Sequence, residues 1–333
     1  MNSPGFWSIF APHIKGFIGL KRSLGYKYNE EERCLRNFDQ FVMDQGYKGI
    51  GLTKEIADKW AEKRNNATML TMYGKIKIVK QFSEYLRNQG ISTYIPRLPK
   101  YPQDTFIPYI YSHQEIKEIF STCDRLRIKQ RNLDSCLLII PCLIRLLYGT
   151  GIRINEALSL QNKDVDTDAK CLTIRDSKNG MDRLVPISNS LTSVCLNYIK
   201  QRNKIPIEGL DHERAPFFVS LNGRFCKSKA VYNWFRKLLV HANIPFTGNR
   251  KGPRLHDIRH SFACHSFIKL SDEGLDLYCS WPYLSTYLGH QSLEATEKYI
   301  RLTSQMYPEL LKDTDGLCVD ILPDIPTQEK DQR

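Results

Sequence analysis

Side chains suited to holding and protonating a phosphate crowd between Leu255 and Tyr299 at spacings a helix can use. The stretch opens with Leu255-His256-Asp257-Ile258-Arg259-His260 and closes with Leu288-Gly289-His290, followed by Tyr299. Residues three apart share a helix face, so His256 and Arg259 point together at one small anion while Ile258 and Phe262 turn toward a core. A proton carrier and a fixed cation then meet one substrate. Gly289 reads as the stop of an apolar helix through Tyr283, Leu284, Tyr287 and Leu288, which leaves His290 at a helix end. Ser292 is placed to cap the next helix, with Tyr299 two turns in. Such a centre needs a second guanidinium and a proton donor, and the chain offers Arg153, in Gly149-Thr150-Gly151-Ile152-Arg153, and Lys178, in Ser177-Lys178-Asn179-Gly180.

Taken in order, Arg153, Lys178, His256, Arg259, His290 and Tyr299 resemble the catalytic set of the tyrosine recombinases, the phage integrase family. Thr-Gly-x-Arg followed by Glu156-Ala157-Leu158, then His-x-x-Arg-His, Leu-Gly-His and a Tyr nine residues later form a joint signal that no single motif supplies. The resemblance covers roughly residues 110 to 302 through motifs, and the first hundred residues only through their helical character.

The resemblance implies a site-specific recombinase that cuts and rejoins double-stranded DNA through a 3′-phosphotyrosyl intermediate, with four protomers on two DNA sites. Tyr299 is then the nucleophile, Arg153 and Arg259 clamp the nonbridging oxygens, His256 accepts the phenol proton, Lys178 protonates the leaving oxygen and His290 bonds the phosphate from the side. No metal and no nucleotide cofactor are expected, because the phosphotyrosine conserves the energy of the broken bond. About thirty residues separate Arg259 from His290, more than simple integrases have, and this resembles the recombinases encoded by mobile transposons.

Other readings stay open on the residues alone. Arg153 is also placed as an ordinary helix-start residue paired with Glu156. Lys170 and Arg183 rival Lys178, and family position favours Lys178. His256 and His260 stand at i and i+4 as in a zinc helix, but Asp257 replaces the usual Glu and Arg259 brings a positive charge close to any metal. Asp257 caps the helix or orients a base; His260 and His265 read as structural. A catalytically inactive DNA-binding factor of the same fold and a type IB topoisomerase are the functional alternatives.

A net charge of +12 over 333 residues points to a polyanionic partner. Residues 1 to 95 hold 15 Lys and Arg against 9 Asp and Glu, whereas residues 306 to 333 hold 3 against 7, so the basic excess lies in the folded body. Ten scattered cysteines without a C-x-x-C pair fit neither a zinc ribbon nor a secreted disulfide framework, and no apolar run reaches the roughly 18 residues of a membrane span. A cytoplasmic protein with no membrane partner is expected.

The elements that must position these residues follow from periodicity. Helical patterns run over Phe6 to Leu24, Asn29 to Gln45, Thr53 to Asn65 and Thr68 to Asn88, with Gly25, Gly46 and Gly90 as stops, which predicts a four-helix, core-binding DNA-binding domain over residues 1–95. Its last helix carries Lys75, Lys77 and Lys80 as candidate phosphate contacts, against the plainer reading of a solvated face. Four prolines from Pro96 to Pro108 mark a linker over 96–109. A Ser112/Glu115 capping box then opens a catalytic domain over 110–305, with a buried helix from Leu133 to Tyr148 bent at Pro141. Alternation from Asp164 to Ser188 predicts a β-hairpin with Lys178 near its tip. Residues 306–333 form a tail with two readings, a segment that docks on a neighbouring protomer through Met306, Tyr307, Leu310 and Leu311 or a disordered acidic end after Gly316. The predicted fold is mainly α (α+β), with one small antiparallel sheet.

Overall fold

The computed structural model describes residues 5–62, 68–102, 107–127, 133–175, 182–246, 252–275 and 277–289. The chain divides into two compact units, Met1–Phe106 and Ile107–Arg333, and the fold is mainly helical with one small sheet, as expected.

In the first unit α1 (Ala11–Ser23), α2 (Asn29–Asp44), α3 (Lys54–Ala61) and α4 (Met69–Asn88) follow the predicted periodicity. Gly25, Gly46 and Gly90 follow three of these helices at φ +86°, +61° and +82°, a left-handed backbone that glycine adopts without steric cost. Thr53 and Thr68 cap α3 and α4 by accepting from Ile56 N and Thr71 N. The inner faces meet in an aromatic core in which Phe10, Phe17, Phe38 and Phe82 are at most 2% exposed, and Trp60 packs edge-on to Phe38 at 5.2 Å. Helix α1 starts at Ala11 rather than Phe6, because Asp39 of α2 binds the chain ahead of it. Its carboxylate accepts from Trp7 N at 2.7 Å and Ser8 N at 3.1 Å.

In the second unit α5 (His113–Arg125) opens on the predicted capping box: Glu115 N donates to Ser112 Oγ at 3.1 Å, and Ser112 N to Glu115 Oε2 at 2.7 Å. The expected bent helix from Leu133 is not one helix. A 3-10 turn over Leu137–Ile139 leads into α6 (Ile140–Thr150), with Pro141 in its first turn. The missing proline N–H is no loss there, where a helix has no internal acceptor for it, so Pro141 starts the helix instead of kinking it.

Beyond α7 (Ile154–Ser159) the chain forms β1 (Val165–Asp166), β2 (Cys171–Ile174) and β3 (Arg183–Pro186), antiparallel in the order β1-β2-β3. Leu172, Ile174, Val185 and Ile187 are buried as the alternation requires, and Ile174 pairs with Arg183. Helices α8 (Asn189–Arg202), α9 (Ser228–His241), α10 (Asp257–Asp272) and α11 (Leu277–Leu288) complete the described unit. Helix α6 is buried on nearly every side and packs against α5, α8 and α10. Six of the described cysteines, Cys123, Cys136, Cys142, Cys195, Cys226 and Cys264, are buried, as small core residues are. Among the described residues no helix is long and apolar enough to cross a membrane.

Candidate functional site

Gly151 ends α6 at φ +61°, and its N–H donates to the Leu147 carbonyl at 2.9 Å. A Cβ there would stand 2.3 Å from Phe262 Cδ1 and 2.9 Å from Leu288 Cδ2. Glycine thus brings this turn directly against α10 and α11. Two residues later Arg153 takes the N-cap position of α7 with an extended backbone. Its N–H donates to Glu156 Oε2 at 2.8 Å and its Nη1 to Glu156 Oε1 at 2.9 Å, so the ordinary ion pair exists, while the Arg153 side chain stays 24% exposed.

Glu156 also binds a second arginine. Arg183 of β3 donates Nη2 to Oε2 at 2.9 Å and Nη1 to Oε1 at 3.2 Å. Burial pushes the Glu156 carboxyl up, but the bonds from Arg183 and Arg153 outweigh it and hold the group below the usual carboxylate range.

Helix α10 supplies the rest. Arg259 is 3% exposed; its Nη1 donates to the Gly151 carbonyl at 2.7 Å and its Nη2 to the Leu288 carbonyl at 2.9 Å. These bonds fix the plane of a group that carries five N–H donors. His256 stands at the helix N-terminus, exposed by area yet with protein crowding its ring. Burial of the ring, and after it the positive charges of Arg259, Arg254 and Arg153, depress its pKa to about 4, so the imidazole is neutral at pH 7. His260 packs edge-on to it, with ring centroids 5.0 Å apart.

Asp257 is not the N-cap of α10, a position His256 takes. Its buried carboxylate accepts from Arg254 N and Nη2, both at 2.9 Å, which closes the turn leading into the helix. His265 has a structural setting, with Nδ1 2.8 Å from Tyr148 Oη and its ring 4.0 Å from that of His113. Among the described residues no three His, Cys, Asp or Glu side chains gather as a metal-binding group.

Arg153, at the start of α7, and His256 and Arg259, at the start of α10, lie close enough that both arginine charges act on the His256 ring, and Arg259 ties α10 to the Gly151 turn. Lys178, His290 and Tyr299 lie outside the described residues. Lys75, Lys77 and Lys80 lie on α4 of the first unit, whose buried face is Ile76, Val79, Phe82 and Leu86. Lys77 is exposed; Lys75 Nζ sits 5.0 Å from the Trp60 ring centroid, and Lys80 Nζ is 3.8 Å from Glu84 Oε1. Arg183, which the hairpin offered only as a rival to Lys178, is the residue whose contacts motif spacing does not reveal. Its signal was present, since the alternation that buries Val185 and Ile187 also turns position 183 inward, and an inward-facing arginine requires a buried acceptor.

Two guanidiniums whose charges reach one neutral imidazole thus stand in a mainly helical α+β unit. Residues 110–306 match the phage integrase family, and the chain belongs to it. It is 31% identical over 310 residues to y4rB of Sinorhizobium fredii, whose name assigns it provisionally to the integrases/recombinases, covering 92% of this chain and 96% of that one. The tyrosine recombinase XerA of Pyrococcus furiosus is 26% identical over 239 residues, 71% of this chain and 72% of that one. Among solved structures, the Tn1549 transposon integrase in complex with transposon right end DNA has a similar fold, with TM-score 0.63, 17% identity and coverage of 90% of this chain and 99% of that one.

Proposed function

We propose that this protein is a tyrosine site-specific recombinase of the mobile-element type, which cuts double-stranded DNA and rejoins it to a second site. The observation that supports this reading is that the charges of Arg259 and Arg153 both act on a neutral His256, inside a chain of the phage integrase family.

Tyr299 attacks the scissile phosphorus. Its phenolic oxygen forms the new P–O bond, its proton passes to His256, and the P–O5′ bond breaks as Lys178 delivers a proton to the departing 5′-oxygen. The extra negative charge on the nonbridging oxygens falls to Arg153 and Arg259, whose planar forks match it by paired hydrogen bonds, with His290 as a further donor. A neutral His256 suits the acceptor role, since an imidazolium has no lone pair to offer. Attack by another strand's 5′-hydroxyl reverses the step and reseals the backbone. Energy is conserved in the phosphotyrosine, so the scheme needs neither metal nor nucleotide. The basic first unit contacts backbone phosphates through Lys77, with Lys75 and Lys80 beside it, and sequence choice falls to base contacts. Four protomers assemble on two DNA sites, and residues 306–333 dock between them. A protein with this substrate works in the cytoplasm.

The test uses nicked duplexes cut from the DNA flanking the gene, on which cleavage releases a short strand and traps any covalent adduct. The full-length protein is expected to become covalently attached and the Tyr299→Phe variant to bind without attaching. A protein that binds these duplexes but never attaches is a DNA-binding factor instead. One that attaches and relaxes supercoils without joining two sites is a topoisomerase.

A further inference from the structure

Helix α11 ends with Tyr287 and Leu288, and the last carbonyls of any helix lack internal donors. Here two arginines from different elements meet two successive carbonyls. Arg259 Nη2 donates to Leu288 O at 2.9 Å, and Arg183 Nε donates to Tyr287 O at 3.1 Å. The remaining edge of the Arg183 guanidinium holds both oxygens of Glu156, the same carboxylate that fixes Arg153 at the start of α7. Gly289, at φ +67°, lies against the guanidinium face: a Cβ there would be 3.0 Å from Nη1 and 3.1 Å from Cζ. The Arg183 side chain is 12% exposed, so it bonds protein groups rather than water.

We infer that Arg183 is a positioning residue for the strand-transfer centre, one that locks the end of α11 to the carboxylate that orients Arg153. Two of its three hydrogen bonds go to one carboxylate and the third to the Tyr287 carbonyl, so the fork shape matters as well as the charge. Lysine keeps the charge and can still reach Glu156, but it has no second edge to hold the Tyr287 carbonyl. The end of α11 then loses one of its two arginine anchors, and Arg153 loses the brace behind its partner. Displacements of about 1 Å at a reacting centre cost on the order of 100-fold in rate. The inference rests on the recombinase reading.

The experiment measures single-turnover covalent attachment of the full chain to the nicked flanking duplexes as DNA concentration is varied. Arg183→Lys is expected to lower the maximal attachment rate about 10–100-fold, with half-saturating DNA unchanged within about 3-fold. In a Glu156→Gln background the same substitution is expected to cost less than about 3-fold, because the carboxylate through which Arg183 acts is already gone. Gly289→Ala, which pushes the guanidinium aside without removing it, is expected to reproduce the rate defect, and it carries the test alone if Arg183→Lys does not fold. Attachment by Arg183→Lys within about 3-fold of the parent, or penalties that multiply with Glu156→Gln as two independent losses do, overturns the inference. Tyr299→Phe run in parallel separates the two levels. If it still attaches, the recombinase reading has failed; if it does not attach while Arg183→Lys is normal, only the positioning role has failed.

Discussion

Replacing Glu156 with glutamine changes one oxygen to an amide, yet it should be among the costliest isosteric changes in the second unit. The carboxylate is 7% exposed and accepts from Arg153 N at 2.8 Å, Arg153 Nη1 at 2.9 Å, Arg183 Nη2 at 2.9 Å and Arg183 Nη1 at 3.2 Å. Glutamine keeps one acceptor but turns its amide N–H groups toward arginine N–H groups. Removing one side of a buried ion pair costs about 3–5 kcal/mol. The Arg153 and Arg183 side chains are 24% and 12% exposed, so water screens part of the loss. With the remaining acceptor, the expected cost falls to about 2–3 kcal/mol.

For a unit the size of Ile107–Arg333 that is a fall in Tm of about 4–12 °C, followed by calorimetry at pH 7. The sign with pH is also fixed. The native carboxyl is held below its usual range, so its contribution is complete above the unfolded value of about pH 4.3 and is lost as pH falls through the lowered native value. The gap between parent and variant should therefore shrink in acid. A Tm difference under about 1 °C at pH 7, or an equal difference at pH 7 and pH 3, refutes the buried-pair argument.

Other consequences are as specific. With the His256 pKa near 4, the single-turnover cleavage rate should stay level from pH 7 down to about pH 5 and fall only around pH 4; an acid limb centred near 6.5 contradicts a depressed imidazole. Arg259→Lys leaves the buried Gly151 and Leu288 carbonyls short of donors and should destabilise by about 2–4 kcal/mol in urea unfolding while reducing cleavage at least 100-fold; a fully active variant rules out the clamp role. Lys77→Ala should weaken DNA binding and reduce the log–log salt slope by about 0.9, whereas Lys80, beside Glu84, should matter less; equal slopes for parent and Lys77→Ala remove that helix from the interface. Ser112→Ala should cost about 1 kcal/mol by opening the capping box of α5, read as a shift in the urea midpoint at constant m.

Much of this architecture is legible in residue patterns because local rules act alone there. The Ser112/Glu115 box, the glycines after α1, α2 and α4 and the inward faces of β2 and β3 needed no tertiary information. Pro141 is different: its residue type marks a boundary, but whether it starts or bends a helix depends on whether Leu137–Ile139 joins α6, which packing decides. Arg153 and Arg259 are recognisable by motif. Their arrangement is not, since the contacts of Arg259 with Gly151 and Leu288 span 108 and 29 residues. Arg183 shows the limit most plainly. Alternation says that it faces inward, but only folding reveals that Glu156 and the end of α11 wait there together.

The most direct measurement is peptide mapping by mass spectrometry of the protein–DNA adduct formed on the nicked flanking duplex. A nucleotide remnant joined through a 3′-phosphate to Tyr299 is the expected result. A remnant on Tyr283, Tyr287 or any other residue, or a 5′-phosphate linkage, contradicts it.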